Sequence, residues 1–110
     1  MEQQSKIIRT WKGWTTKENA SIYENLLLNK IFPDVKKKGI IGLEKVSITI
    51  RHKKEEVEFF LVLQFNSMDA VKLFAGENYE RAYMPEEAQR VLLRYDDTAQ
   101  HYELRKVLEF

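Results

Sequence analysis

The chain has 110 residues, 44% of them hydrophobic and 32% charged, and its 18 basic and 17 acidic side chains leave a net charge of +1. That length suits one domain that buries roughly two-thirds of its unfolded surface, and the composition is unlike that of a disordered chain. The charge balance argues against nucleic acid as a partner, because phosphate contacts supply most of that affinity. The lack of cysteine excludes disulfides and thiolate metal sites.

The opening Met1-Glu2-Gln3-Gln4-Ser5 is polar and shows no signal-peptide pattern. The longest apolar run, Phe59-Phe60-Leu61-Val62-Leu63, is too short to cross a bilayer. A cytoplasmic protein with no membrane partner is the expectation. Residues 6–14 are rich in β-branched and aromatic side chains and read as a strand. Thr15-Thr16-Lys17-Glu18 has capping-box spacing, and behind it Ala20, Tyr23, Leu27 and Ile31 mark one apolar helix face. Pro33 is expected to bend or end that helix, with Lys36-Lys37-Lys38-Gly39 as its stop.

Residues 43–52 alternate, with Val46, Ile48 and Ile50 on one face and Lys45, Ser47, Thr49 and Arg51 on the other. The charged connection His52 to Glu56 leads to a second strand over 57–65. Asn66 or Ser67 caps a helix whose stripe is Ala70, Val71, Leu73 and Phe74 and whose stop is Gly76. Pro85, followed by Glu86 and Glu87, opens another short helix. Residues 99–110 close the chain as a fourth strand. The order β-α-β-β-α-β predicts an α+β, ferredoxin-like domain over 1–110, a four-stranded antiparallel sheet with helices on one face.

Such a sheet leaves its second face to water, yet the strand over 57–65 carries Phe60 and Val62 opposite its main apolar row. The first strand likewise has Ile7 and Trp11 on one side and Ile8 and Trp14 on the other. In this topology those two strands are central. An exposed apolar sheet face favours association, and pairing with a second copy through the sheet is the simplest outcome.

Three segments carry a family resemblance: Ile8-Arg9-Thr10-Trp11-Lys12-Gly13-Trp14-Thr15, Phe74-Ala75-Gly76-Glu77-Asn78-Tyr79-Glu80, and His101-Tyr102-Glu103. Together they resemble the antibiotic biosynthesis monooxygenase-like branch of the dimeric α/β-barrel superfamily, many members of which have no assigned reaction. The resemblance implies two protomers packed sheet to sheet, with a pocket between sheet and helices in each. It also implies oxygenation of a small, electron-rich aromatic substrate without a cofactor, the substrate itself supplying electrons to O₂. Haem-degrading relatives use a helical histidine with an asparagine and a tryptophan. Here both histidines fall in or beside strands, so that set does not map.

Among chemistry-bearing residues His101 stands first, because imidazole, with an ordinary pKa near ~6.5, suits abstraction of a phenolic or enolic proton. Glu103 shares its strand face, Asp97 lies in the preceding turn, and either carboxylate is a candidate to orient the ring. The competing reading is a histidine in a polar network under the helices or at the dimer seam. Arg9 and Trp11 share a face of the first strand, which should pair with the last. They form either a ligand patch, with an anion-binding guanidinium and a stacking indole, or an Arg9–Glu103 pair beside an interface aromatic.

Tyr23 either points its hydroxyl into a cavity or sits as a core tyrosine. Tyr79 and Tyr83 form a lid over a pocket or fasten the stretch before Pro85 to the sheet. His52 and the lysine runs read as solvated surface. No metal-ligand spacing, phosphate loop, nucleophile elbow or dinucleotide fingerprint occurs, so neither metal nor cofactor is expected. An RNA-recognition domain shares the element order, but Glu58 to Phe65 has an acidic start and no glycine where that domain needs a basic residue, a glycine and stacking aromatics. The two functions left are a cofactor-independent monooxygenase-like enzyme and a non-catalytic small-ligand-binding or structural homodimer.

Overall fold

The computed structural model describes residues 5–110; the polar opening from Met1 to Gln4 lies outside them. Strand β1 (Ile7–Thr15) leads into helix α1 (Ala20–Leu26), a wide π turn (Leu27–Ile31) and helix α2 (Phe32–Lys38). Strands β2 (Leu43–His52) and β3 (Val57–Phe65) form a hairpin, followed by α3 (Met68–Ala75), α4 (Glu86–Val91), β4 (Leu92–Tyr95) and β5 (Gln100–Glu103). The sheet order is β2-β3-β1-β4, with β5 also paired to β1 and every pairing antiparallel. As the expected topology requires, β1 and β3 are the central strands.

Register decides which side chains face the helices. Trp11 pairs with Leu61, Arg9 with Leu63, and Ile48 with Leu61 on its other side. The covered face therefore carries Ile7, Arg9, Trp11, Val57, Phe59, Leu61, Leu63 and Phe65, all buried. Tyr23, Leu27, Ile31 and Val35 descend onto it from the helical layer. Phe59, fully buried, meets Tyr23 edge to face at 4.8 Å between ring centroids. Each large apolar side chain so buried contributes about 1.5–3 kcal/mol.

The four helical residues recur strictly every fourth position. An α-helix advances about 100° per residue, so each such step drifts by about 40° and the row would leave the sheet within three steps. The π turn absorbs that drift: the Phe32 amide donates to the Leu27 carbonyl, a five-residue step. It also accommodates Pro33, which neither ends nor breaks the helical segment but sits in the first turn of α2, where a missing amide proton costs little. Gly39, at φ 64°, ends α2 in the left-handed conformation.

Two expectations need correction. Thr15 is not a helix cap; it ends β1, fully buried, and its hydroxyl donates to the Val91 carbonyl. The turn before α1 instead uses Thr16, whose hydroxyl accepts from the Asn19 amide at 3.0 Å. The final strand does not run from 99 to 110. Only β5, ending at Glu103, forms within that stretch; β4, which precedes it, pairs on the same side of β1, so the sheet has five strands where four were expected. After the Leu104 amide reaches the Lys6 carbonyl at 2.8 Å, the strand has come to the start of β1 and has nothing further to pair with. Val107, Leu108 and Phe110 are exposed. No helix among the described residues is long and apolar enough to cross a membrane.

Candidate functional site

A cavity lies between the covered sheet face and the helices, walled by Arg9, Trp11, Leu61 and Leu63 from the sheet. Tyr23, Leu27, Ile31 and Phe32 close it from the first helical segment, and Phe74, Tyr83, Met84, Pro85 and Ala88 from the second. Its free volume is about 40 Å³, within about 480 Å³ of empty space counted out to the open mouth. That is well below the ~150 Å³ of a cavity that takes benzene, so a ring enters only as lining side chains move.

Trp11 owes its position to two neighbours. Its indole lies over Gly13, where a β-carbon would sit 2.6 Å from the ring, and its Nε1 donates to the Asp96 carbonyl at 2.8 Å. The Tyr23 hydroxyl, on a residue only 2% exposed, has no protein hydrogen-bond partner among the described residues, and Tyr23 lines the cavity. Burial pushes its pKa well above the ordinary phenol value.

Arg9 is the one charged residue of the lining and is 2% exposed. Its Nη1 donates to the Tyr79 carbonyl and lies 3.0 Å from His101 Nε2; its Nη2 donates to the Arg81 carbonyl at 3.1 Å. Three of the five guanidinium N–H groups are thereby engaged. None of the ion pairs among the described residues includes Arg9. Burial lowers its pKa to about 10, so it is still charged at neutral pH. The guanidinium packs 5.4 Å from the Phe74 ring centre; Phe74 meets Tyr83 at 5.8 Å, and the Lys38 amine lies 5.4 Å from Tyr83. Phe74 and Tyr83, the latter partly exposed, thus join the buried cation to the protein surface.

The structure brings together Arg9, Trp11, Tyr23 and Tyr83 of the residues singled out from the sequence. It does not bring His101 or Glu103 to the same cavity. His101 pairs with Arg9 across the β1–β5 ladder and lines a separate, more polar hollow with Tyr79, Glu80, Thr98 and Gln100. Burial and the nearby Arg9 charge lower its pKa to about 4. With Nε2 accepting from Arg9, the ring has the character of a fixed acceptor. Glu103 stands opposite Ile7, is exposed, and pairs with Arg105 at 2.8 Å, so neither the Arg9–Glu103 pair nor a Glu103 contact orienting His101 forms. Asp97 is exposed, and its carbonyl accepts from the Ala82 amide.

Sequence reasoning missed the carbonyls of Tyr79 and Arg81, because backbone acceptors leave no signature in residue identity. Phe74 was legible as part of an apolar stripe, but nothing in its spacing marked it as the base of a cation–π contact. Among the described residues no group of three or more His, Asp or Glu side chains is placed to hold a metal ion.

No protein-family model and no curated protein matches the chain. A solved structure does: that of a putative antibiotic biosynthesis monooxygenase from Bacillus cereus, at a TM-score of 0.65. The fold is ferredoxin-like. The superposition covers 96% of this chain and 99% of that one, at 14% sequence identity. At that identity the likeness shows the fold alone.

Proposed function

We propose that the cavity binds a small aromatic molecule, and that the protein acts on it as a cofactor-independent monooxygenase. The observation that carries the binding step is the cavity itself: Trp11, Phe74 and Tyr83 give flat apolar walls, and the hydroxyl of Tyr23 makes no protein hydrogen bond among the described residues. Aromatic pockets with a few placed polar groups are the usual form of small-molecule sites. The reaction is supported by the likeness to the Bacillus cereus protein and by the motif resemblance. For a quinol, C₆H₆O₂ and O₂ give the hydroxyquinone C₆H₄O₃ and water. One oxygen atom enters the ring, the other leaves as water with two hydrogens, and the quinol is the only reductant.

His101 holds Arg9 in this scheme and does not serve as the base. Its low pKa and engaged Nε2 are unsuited to proton abstraction at neutral pH. Oxygen uptake by the purified protein on addition of hydroquinone, with hydroxyquinone and water as products, is the expected result. Binding of the quinol without oxygen uptake overturns the reaction and leaves a non-catalytic ligand-binding protein. The non-catalytic reading, a small-ligand-binding or structural homodimer, is favoured on its structural side by the small free volume and by the hydrogen bond that ties His101 to a buried group.

Self-association through the open sheet face is part of the same proposal. Ile8, Thr10, Phe60 and Val62 form a half-buried centre there, with Tyr102 57% exposed beside Ile8. At one end of the face Trp14 donates to Glu58 at 3.0 Å and Arg94 makes two 2.7 Å bonds to Glu56. A second copy covering the centre removes apolar area from water, while this polar end remains paired within its own chain.

A further inference from the structure

We infer that the ligand enters the cavity as an aromatic monoanion, with its charged oxygen at Arg9. This rests on the cavity being an aromatic-ligand site and adds the charge that the site selects. A buried cation is ordinarily matched by a buried carboxylate, because an unpaired charge in a low-dielectric setting is costly. Arg9 is 2% exposed and has only neutral partners: two backbone carbonyls and an imidazole. None of these supplies negative charge. Two of its N–H groups lack a protein acceptor among the described residues, and it lines the cavity.

The rest of the lining sharpens the selection. It holds no acidic side chain, so nothing there repels an anion or attracts a cation. The Tyr23 hydroxyl, which makes no protein hydrogen bond among the described residues and keeps some contact with open space, supplies a neutral donor. Charge-assisted bonds from a guanidinium are the strong ones, and its planar fork suits a carboxylate or a phenolate. Leu61 and Leu63 leave the ring portion of the ligand in apolar surroundings. The site therefore prefers an ionised ring acid over a neutral ring of the same shape. For a quinol the same preference favours the phenolate, the form that gives up electrons to O₂ more readily.

The test compares benzoate with benzamide, which match in shape and differ in charge. Binding is followed on the full chain through the indole N–H resonance of Trp11 in ¹⁵N NMR, with Trp14→Phe used to assign it. Benzoate should bind at least tenfold more tightly than benzamide, and Arg9→Met should reduce that ratio to near one. Equal binding of the two ligands overturns the charge selection while leaving the aromatic cavity in place. Failure of both to move the Trp11 resonance overturns the cavity reading and this inference with it. A ratio that survives in Arg9→Met assigns the selection to another cation and also overturns it. If Arg9→Met does not fold, the wild-type ratio decides alone.

Discussion

His101 Nε2 lies 3.0 Å from Arg9 Nη1, and because a guanidinium only donates, the imidazole must be the acceptor. That fixes the ring as neutral, with its proton on Nδ1. The folded imidazole titrates at about 4, against ~6.5 when unfolded. Between those values the unfolded chain holds more protons, so stability rises with pH across the window. The contribution is fully present above about pH 6.5 and is lost as pH falls towards 4. His101→Gln keeps an acceptor oxygen and does not titrate. Urea unfolding at pH 7 and pH 4.5 should therefore show the wild type losing stability relative to the variant, and a constant difference would refute the assignment.

Tyr23→Phe removes a hydroxyl that bonds to no protein group and keeps the ring that meets Phe59. Deleting a hydroxyl that makes no protein hydrogen bond and still reaches open space changes stability by less than about 1 kcal/mol. Thermal unfolding should show a nearly unchanged midpoint together with weaker benzoate binding. A loss of more than about 1 kcal/mol would mean that the hydroxyl has a structural partner after all.

Gly13→Ala places a methyl group 2.6 Å from the Trp11 ring. The indole must lift, and its Nε1 bond to the Asp96 carbonyl must lengthen or break. Overpacking of this kind costs about 1–3 kcal/mol. The Trp11 indole resonance should shift, and benzoate affinity should fall because the displaced ring enters the space a ligand needs. An unshifted resonance with wild-type stability would show that the ring is not seated on Gly13.

Phe60→Glu puts a carboxylate at the centre of the open sheet face, where the Lys12 amine now lies 5.6 Å from the Phe60 ring. If that face joins two copies, light scattering on the eluting protein should give the mass of a dimer for the wild type and of one chain for the variant. Circular dichroism should stay the same, since Phe60 is outside the covered core. A wild type that elutes as a single chain removes the proposed pairing.

The parts of the fold that the sequence declared are those where one physical signal acts alone. Strict alternation placed β2 and β3 within their observed bounds, and Gly39, Ser67 and Gly76 marked helix ends through backbone conformation and capping. β4 was missed because four residues, Leu92 to Tyr95, are too few to show a period and are recruited by the far end of β1. The strand expected to reach residue 110 failed for the complementary reason: Tyr102, Leu104, Leu108 and Phe110 have suitable spacing, but β1 offers no partner beyond Lys6.

For the site, Arg9 and Trp11 were legible because two-residue spacing puts both on one face of β1. His101 looked like a base because residue identity shows the intrinsic pKa of an imidazole. It does not show the guanidinium that the β1–β5 register sets beside it.

The π turn gives the chain a tolerance to shortening that an ordinary helix lacks. It lets the row from Tyr23 to Val35 keep four-residue spacing and still face the sheet. Deleting one residue between Leu28 and Lys30 would restore an ordinary helix, and the remaining eleven steps, about 1,100° in all, would leave Tyr23 within about 20° of the face of Val35. Removing a second residue would turn everything before it by about 100° and carry Tyr23 out of the cavity although its side chain remained in the sequence. The helix works as a gear with one spare tooth, and only the second loss is a change of phase.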